Sequence, residues 1–230
     1  MTHKLFRTLL IPVACLLAAP LGATAWGAEK ELPLLVSDDF EQGAERWLPT
    51  DADAWKVSAD ERGKVFEQHK KKSNYEPPHR SPYNRALLKD VLVGDFQIDV
   101  EVKSTHPDYA HRDVCLFFGY QDPANFYYVH LGKKADPHAN QIFIVDDSPR
   151  LKISMTTTPG TDWDDKWHHV RVVRTVSDGA IAIYFDDLTK PVMTATDKTF
   201  TWGQVGLGSF DDTSAWDDFQ LRGVKVEKQR

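Results

Sequence analysis

Three short runs of this sequence carry aromatic, amide and cationic side chains that could bind a sugar. The runs are 126–131, 141–146 and 150–155, and the side chains are Tyr128, His130, Gln141, Arg150 and Lys152. Side chains of an extended strand alternate between its two faces, and neighbouring strands lie about 4.8 Å apart. If the three runs pair as neighbouring strands, the five side chains can therefore share one surface. Aromatic rings would stack on the apolar faces of a sugar, and the polar groups would bond to its hydroxyls.

The same residues allow two other interpretations. A slip of one residue in the strand pairing would turn some of the side chains to the opposite face, which leaves an ordinary solvated sheet face as an alternative. An enzyme could instead use this surface for β-elimination of a uronic-acid polysaccharide. Arg112 or Arg150 would then neutralise the uronate, and His130 and Tyr128 would transfer the protons. His111 lies beside Arg112 and could line the end of the surface.

Composition and charge limit the class of partner. The chain has 230 residues, with 28 Lys and Arg against 34 Asp and Glu, for a formal net charge of −6. A nucleic-acid-binding protein would show a basic stripe, so we expect no nucleic-acid partner. Two Cys residues cannot build a disulfide scaffold or a four-thiolate zinc site. We expect Cys115 to be a small buried hydrophobic residue.

The first 25 residues have the layout of a secretory signal peptide. Lys4 and Arg7 form a positive start, an apolar run over 9–21 follows, and the small residues 23–25 form a cleavage site. The apolar run is shorter than the roughly 20 residues that a membrane-spanning helix needs. We therefore predict a signal peptide over 1–25, a short N-terminal extension over 26–36, and export to the periplasm or the medium without a remaining membrane segment.

The rest of the chain has the pattern of strands. From about residue 95 onward, apolar and polar residues alternate with a period of two, and turn residues such as Asp122-Pro123 separate the runs. Many short strands with frequent turns predict an all-β sandwich or barrel, here as one domain over 37–227. The segment 60–85 is irregular and rich in Lys and Pro, and it is either a long solvated loop or a loop that folds over a binding face.

Four segments resemble the concanavalin A-like lectin and glucanase superfamily. They are the run 38–41 followed by Trp47 and Trp55, the strand WHHVRVVR over 167–174, the strand over 179–187, and the closing segment over 203–219. The second segment is similar to a strand of laminin-G-like domains. The resemblance implies a jelly roll of two antiparallel sheets, a fold that lectins, carbohydrate-binding modules, glycosidases and lyases share. The glucanase pattern Glu-x-Asp-x-x-Glu is absent from this sequence, so retaining hydrolysis, which needs two carboxyls about 5 Å apart, loses its support.

The resemblance also implies a structural calcium ion, since related sandwiches often bind calcium where the first and last strands meet. Asp39 and Glu41 lie near the first predicted strand and Asp218 lies near the last, and carboxylate oxygens are the ligands that calcium prefers. These three residues are the predicted calcium ligands. Solvated acidic turns are the alternative interpretation.

Trp163 lies in an acidic loop and is the predicted exposed aromatic residue for stacking on a sugar, whereas most other Trp residues are expected in the core. Together these patterns predict an exported, monomeric, concanavalin A-like jelly-roll sandwich that binds an extracellular or periplasmic carbohydrate. A carbohydrate-active enzyme on the same face and a protein–protein adhesion module remain as alternatives.

Overall fold

The computed structural model describes residues 31–228, and the predicted signal peptide lies outside them. Apart from a 3-10 turn at Ala52–Ala54, the regular structure of the described residues consists of strands. The first eight strands are β1 (Leu34–Asp38), β2 (Trp47–Pro49), β3 (Trp55–Asp60), β4 (Gly63–Gln68), β5 (Asn84–Leu88), β6 (Val93–Ser104), β7 (Asp113–Asp122) and β8 (Asn125–Gly132). The others are β9 (Gln141–Asp146), β10 (Leu151–Lys152), β11 (Ser154–Thr157), β12 (His168–Thr175), β13 (Ala180–Phe185), β14 (Met193–Thr196), β15 (Gln204–Ser209) and β16 (Ser214–Lys225). The predicted all-β fold class is confirmed.

The strands form two antiparallel sheets. In the described part of the chain, the nine-stranded sheet has the order β11–β14–β13–β12–β6–β16–β4–β3, with β1 also paired to β16. The seven-stranded sheet has the order β10–β9–β8–β7–β15–β5–β2. Strands that are distant in sequence are neighbours in both sheets, as β6 and β16 are in the first and β7 and β15 in the second. This arrangement is the predicted two-sheet jelly roll.

Alternation of side chains places the main core between the sheets. In β12, for example, the residues from His168 onward are alternately buried and partly exposed. The central strands of the seven-stranded sheet are buried on both faces, because a second layer of apolar and aromatic side chains covers the face that is turned away from the main core. This second face is termed the outer face below. Its aromatic members are Phe117, Tyr120, Phe126, Tyr128 and Phe143.

Two stretches of chain differ from the expected elements. The run 150–155 was expected as one strand, but Leu151–Lys152 pairs with β9 in the seven-stranded sheet while Ser154–Thr157 pairs with β14 in the other sheet. The chain therefore crosses between the sheets at Ile153. At the N-terminal end, β1 begins at Leu34, inside the segment expected as an extension, because it pairs with β16. No helix within residues 31–228 is long and apolar enough to cross a membrane.

Candidate functional site

The register of the seven-stranded sheet brings most of the predicted sugar-binding residues to its outer face. His130 lies opposite Gln141 on the neighbouring strand, and Tyr128 lies opposite Phe143. Lys152 pairs with Phe143 from the other side. Directly opposed residues of antiparallel strands project to the same face of the sheet. Tyr128, His130, Gln141 and Lys152 therefore share the outer face, on the neighbouring strands β8, β9 and β10.

Arg150 joins this group from the loop that precedes β10. Its Nη1 donates a hydrogen bond to the Tyr128 hydroxyl at 2.9 Å, and its guanidinium lies 4.8 Å from the centre of the Phe143 ring. Tyr128 is fully buried, and this burial raises the pKa of its hydroxyl above the ordinary value. The hydroxyl thus positions Arg150, and it is out of reach of a glycan outside the sheet. The predicted role of Tyr128 in proton transfer does not fit this geometry.

The segment 60–85, expected to be irregular, contains β4 and the beginning of β5, and its irregular part over 69–83 folds over part of the outer face. Arg85 lies beneath it, with its guanidinium carbon 4.5 Å from the centre of the Tyr120 ring and 5.2 Å from that of Tyr75, which belongs to the segment. Arg85 Nη2 also donates a hydrogen bond to the Tyr120 hydroxyl at 3.1 Å. Arg85 is only 2% exposed. Of the two interpretations of this segment, the structure shows the loop that folds over a sheet face.

The accessible end of the outer face is a group of side chains around the ring of Phe210, termed the Phe210 rim. Tyr83 packs edge-on against this ring at 5.2 Å between centroids. The guanidinium groups of Arg150 and Arg80 lie 4.5 Å and 6.0 Å from the ring centre. His130 stacks on the ring at 6.0 Å, with an angle of 11° between the planes. Arg80 is exposed, and Tyr83 and Arg150 are half-buried, so the rim combines aromatic surface with cationic hydrogen-bond donors.

His130 lies at the base of the Phe210 rim and is 6% exposed. Its Nδ1 lies 2.9 Å from the backbone carbonyl oxygen of His138. Its Nε2 lies 2.8 Å from Oδ2 of Asp113, at the beginning of β7. The ring is therefore fixed between a carbonyl oxygen and a carboxylate.

Gln141 and His111 contact the loop between β8 and β9. Gln141 Nε2 donates a hydrogen bond to the Asp136 carbonyl oxygen at 3.0 Å. His111, which is exposed, has its Nδ1 3.6 Å from the Asp136 carboxylate. Gln141 also lies opposite His130 in the sheet, and His111 contacts the same loop as Gln141 does. In this structure they stabilise the loop.

Three aspartates that sequence reasoning did not place in this site converge beside His130. Asp212 accepts hydrogen bonds from the Tyr109 hydroxyl and from the Asp113 backbone N–H, both at 2.8 Å. Burial, and then the charge of Asp113, raise the pKa of Asp212 to about 7. Burial also raises the pKa of Asp211. Asp211 and Asp212 lie in the turn between β15 and β16, so their proximity to Asp113 has no signal in local sequence spacing.

Arg112 and Trp163 do not belong to the outer face. Arg112 is 1% exposed and donates hydrogen bonds to Ser104 Oγ and Asp165 Oδ1, both at 2.8 Å. It therefore points away from the group that contains His130. The prediction that Trp163 is exposed is wrong: it is 2% exposed, and its Nε1 donates a hydrogen bond to the Leu131 carbonyl at 2.8 Å. An indole whose N–H is satisfied by a backbone carbonyl is well suited to the core despite the acidic residues around it in sequence.

The predicted calcium ligands do not converge on one point. Glu41 Oε1 accepts a hydrogen bond from a backbone N–H of β4 at 2.7 Å, and Asp218 pairs with Arg62 at 2.7 Å. Asp39 Oδ1 accepts from the backbone N–H of Glu41 at 3.2 Å. Within residues 31–228, the side chains whose donor atoms lie close enough to share a metal ion are grouped around Asp113 instead. The two groups are Asp113 with Cys115 and His130, and Asp113 with Asp211 and Asp212.

Comparison with known proteins identifies the fold and no family. No protein-family model matches the chain, and no curated protein matches it. The structure is similar to CBM66, a carbohydrate-binding module from Bacillus subtilis, with a TM-score of 0.55 and 19% identity over 77% of this chain and 96% of that one. It is also similar to domain 4 of AbnA, a GH43 extracellular arabinanase from Geobacillus stearothermophilus solved with arabinotriose, with a TM-score of 0.54 and 11% identity over 86% and 96% of the two chains.

A third similar structure is the winged bean acidic lectin in complex with methyl-α-D-galactose. The TM-score is 0.52 and the identity 14%, over 80% of this chain and 94% of the lectin. Identities this low show a shared fold alone, and a fold does not determine function. The protein has the concanavalin A-like jelly-roll fold.

Proposed function

We propose that this protein binds an extracellular or periplasmic carbohydrate at the Phe210 rim. The observation that carries this proposal is the placement of Arg80, Tyr83 and Arg150 around one aromatic ring at the accessible end of the outer face. A guanidinium group offers several N–H donors in a fixed plane, which suits sugar hydroxyls and carboxylates. The edge of the Tyr83 ring supplies apolar surface for the C–H face of a sugar.

The comparisons support the carbohydrate class of ligand. CBM66 is described as a carbohydrate-binding module, and the arabinanase domain and the winged bean lectin were each solved with a sugar. The extracellular or periplasmic setting rests on the signal-peptide pattern of residues 1–25. The cationic character of Arg80, Arg150 and Lys152 makes uronic-acid polysaccharides the first ligands to test.

The test is calorimetric titration of the protein with a series of neutral and uronic-acid oligosaccharides. Arg80→Ala and Tyr83→Ala should each weaken binding at least about tenfold, since Arg and Tyr at the centre of an interface commonly contribute more than ~1.4 kcal/mol. Arg46→Ala is the matched control, because Arg46 is exposed and lies outside the rim. Equal affinities of wild type and Arg80→Ala would place the glycan elsewhere. A folded protein that binds no glycan would favour the adhesion-module alternative.

The contact between His130 and Asp113 favours a second candidate function, cleavage of the bound glycan. A carboxylate beside an imidazole can orient it for proton transfer. Of the three predicted catalytic residues, His130 faces the rim, whereas Arg112 points away from it and Tyr128 is buried beneath it. Incubation with a uronic-acid polysaccharide separates the outcomes: ultraviolet absorbance from an unsaturated product indicates elimination, and new reducing ends without that absorbance indicate hydrolysis. Binding without either product supports the first proposal.

A further inference from the structure

Sheet geometry places three metal-binding side chains together on the outer face. Asp113 and Cys115 are two residues apart on β7, so both project to the same face, and Cys115 lies directly opposite His130 on β8. One donor atom from each of the three side chains lies within 4.8 Å of those of the other two. The three residues are 0%, 0% and 6% exposed. A carboxylate, a thiol and an imidazole thus converge in a closed space.

Asp113 Oδ1 is buried without a hydrogen-bond partner, and the contact of His130 Nε2 with Asp113 Oδ2, at 2.8 Å, does not have the geometry of a hydrogen bond. A buried polar atom without a partner costs about 1–3 kcal/mol, so such atoms call for a specific explanation. Nδ1 of His130 faces the carbonyl oxygen of His138, and it therefore carries the ring proton. Nε2 lies 2.8 Å from the Asp113 carboxylate. A second ring proton or a metal cation can bring a ring nitrogen and a carboxylate oxygen this close together.

Negative charge from the turn between β15 and β16 also favours a cation at this place. Carboxylate oxygens of Asp211 and Asp212, in the turn between β15 and β16, lie within 4.8 Å of one of Asp113. Asp212 is held in place by hydrogen bonds from the Tyr109 hydroxyl and the Asp113 backbone N–H. Asp211 is exposed, so an ion could reach the buried donors from its side.

We infer that Asp113, Cys115 and His130 bind a zinc ion, with a carboxylate of the turn, Asp211 or Asp212, as the fourth ligand. Thiolate and imidazole donors favour zinc over calcium or magnesium, which take six or more oxygen ligands. Zinc binds four such ligands at about 2.0–2.3 Å. Oδ1 of Asp113, which is buried without a hydrogen-bond partner, is the carboxylate oxygen assigned to it. The His138 carbonyl that orients the imidazole is the kind of outer partner that metal-bound histidines use. The observations behind this inference do not include the proposed glycan function, but His130 as a zinc ligand could not also transfer protons in glycan cleavage.

The zinc would connect β7 and β8 to the turn that follows Phe210. The backbone N–H of Phe210 already donates a hydrogen bond to Asp113 Oδ2 at 3.1 Å. A metal ion held by Asp113 and by the residues after Phe210 would therefore fix the rim in place. Since the donors are almost fully buried, the role inferred for the ion is structural.

The test is a metal titration of the full chain, purified without a polyhistidine tag and stripped with a chelator. Co²⁺ serves as the spectroscopic probe, and Zn²⁺ is then added to displace it. We expect uptake of one Co²⁺ per chain with the charge-transfer absorption of a cobalt–thiolate bond, and loss of this absorption when Zn²⁺ is added. Zn²⁺ should also raise the midpoint of thermal unfolding.

Three variants test the assigned ligands. Cys115→Ser should remove the thiolate absorption, and His130→Gln should weaken Zn²⁺ binding by at least about tenfold. His111→Gln is the matched control and should bind Zn²⁺ as wild type does, because His111 is exposed and contacts Asp136 instead. Circular dichroism checks that each variant folds. If a variant does not fold, the Co²⁺ and Zn²⁺ titration of the wild-type protein still tests the inference. Folded wild-type protein that takes up neither ion, a Co²⁺ spectrum without a thiolate band, or unchanged Zn²⁺ binding in both ligand variants would overturn the inference. The glycan titration has a separate readout, so either proposal can fail alone.

Discussion

At the scale of single residues, Arg85 is a cation buried without a carboxylate partner among residues 31–228. Its guanidinium lies within 6 Å of the ring centres of Tyr75, Phe117, Tyr120 and Phe126. Its Nε and Nη1 have no hydrogen-bond partner. The negative faces of aromatic rings attract a cation, and this attraction is strongest where water is excluded. The rings therefore take the place of a carboxylate, and Tyr75 connects Arg85 to segment 69–83.

The first prediction follows from this packing. Arg85→Leu removes the cation–π contacts and should let segment 69–83 open more often. If the free energy that opposes opening of the segment falls by ~1–2 kcal/mol, the rate of trypsin cleavage after the exposed Lys71 and Lys72 should rise roughly tenfold. Limited proteolysis with mass spectrometry measures this rate, and Arg46→Leu is the control. Cleavage of Arg85→Leu at the wild-type rate would show that other contacts hold the segment.

Trp163 allows a prediction that separates a structural role from a ligand-binding role. Its ring packs edge-on against Phe185 at 5.0 Å and against His168 at 5.5 Å in the main core. Trp163→Ala should lower the free energy of unfolding by about 3–5 kcal/mol, as removal of a large buried ring generally does. Trp163→Phe should cost less, because it keeps most of the apolar contact and loses the hydrogen bond to Leu131.

Urea denaturation measures both changes, with Met155→Ala as the control at a strand position that is 70% exposed. Glycan affinity of the folded Trp163→Phe variant should equal that of wild type. A large loss of affinity with little loss of stability would restore Trp163 as a ligand-binding residue.

At the scale of elements, the pairing of β12 with β6 builds an ion-pair group on the solvent face of the nine-stranded sheet. His169 lies opposite Glu101. Its Nε2 is 2.7 Å from Asp99, and its Nδ1 is 3.1 Å from Glu101. Hydrogen bonds to Asp99 and then to Glu101 raise the pKa of His169 to about 9. Because the folded-state pKa exceeds the unfolded value of about 6.5, protonation of His169 stabilises the folded protein.

This stabilisation predicts a pH dependence with a defined sign. It should be fully present below about pH 6.5 and lost as the pH rises through about 9. His169→Gln should therefore lower the free energy of unfolding at pH 6 by on the order of 1 kcal/mol, discounted for the partial exposure of the group, and have almost no effect at pH 10. Urea denaturation of wild type and variant across this range measures the difference. A difference that is constant with pH would contradict the assigned ion pairs.

The alternation of apolar and polar residues predicts where strands lie, but it does not predict which strands pair with each other. Runs 126–131 and 141–146 form β8 and β9 because one set of alternate side chains fills the main core and the other fills the outer layer. The run 150–155 has the same pattern, yet it divides between two sheets at Ile153, since local periodicity carries no information about which sheet a strand joins. The short β14 was not predicted, because its four residues give too little pattern.

At the scale of the whole molecule, the candidate site depends on contacts that only the complete jelly roll creates. The hydrogen bond from the Asp113 backbone to Asp212 joins residues that are 99 positions apart. His130 belongs to a strand with a clear alternating pattern, so the sequence alone marks it as a candidate. Its neighbours Asp113 and Asp212 carry no such mark, because the pairing of β15 with β7 fixes their proximity. The carboxylates expected as calcium ligands, Asp39, Glu41 and Asp218, are not among the side chains that come together there.

The last prediction concerns where the folded domain begins. Residues from Leu32 onward form one compact unit, and β1 within it pairs with β16, the strand that also contacts β4 and β6. β1 buries Val36, and Asp38 accepts a hydrogen bond from the Trp47 indole at 3.0 Å. A chain that starts at Asp39 should lose at least about 2 kcal/mol of its free energy of unfolding compared with one that starts at residue 26, from the burial of Val36 and the indole hydrogen bond together. Urea denaturation measures this difference. Equal stability of the two chains would mean that residues 34–38 are a dispensable extension and that β16 is stable without this partner.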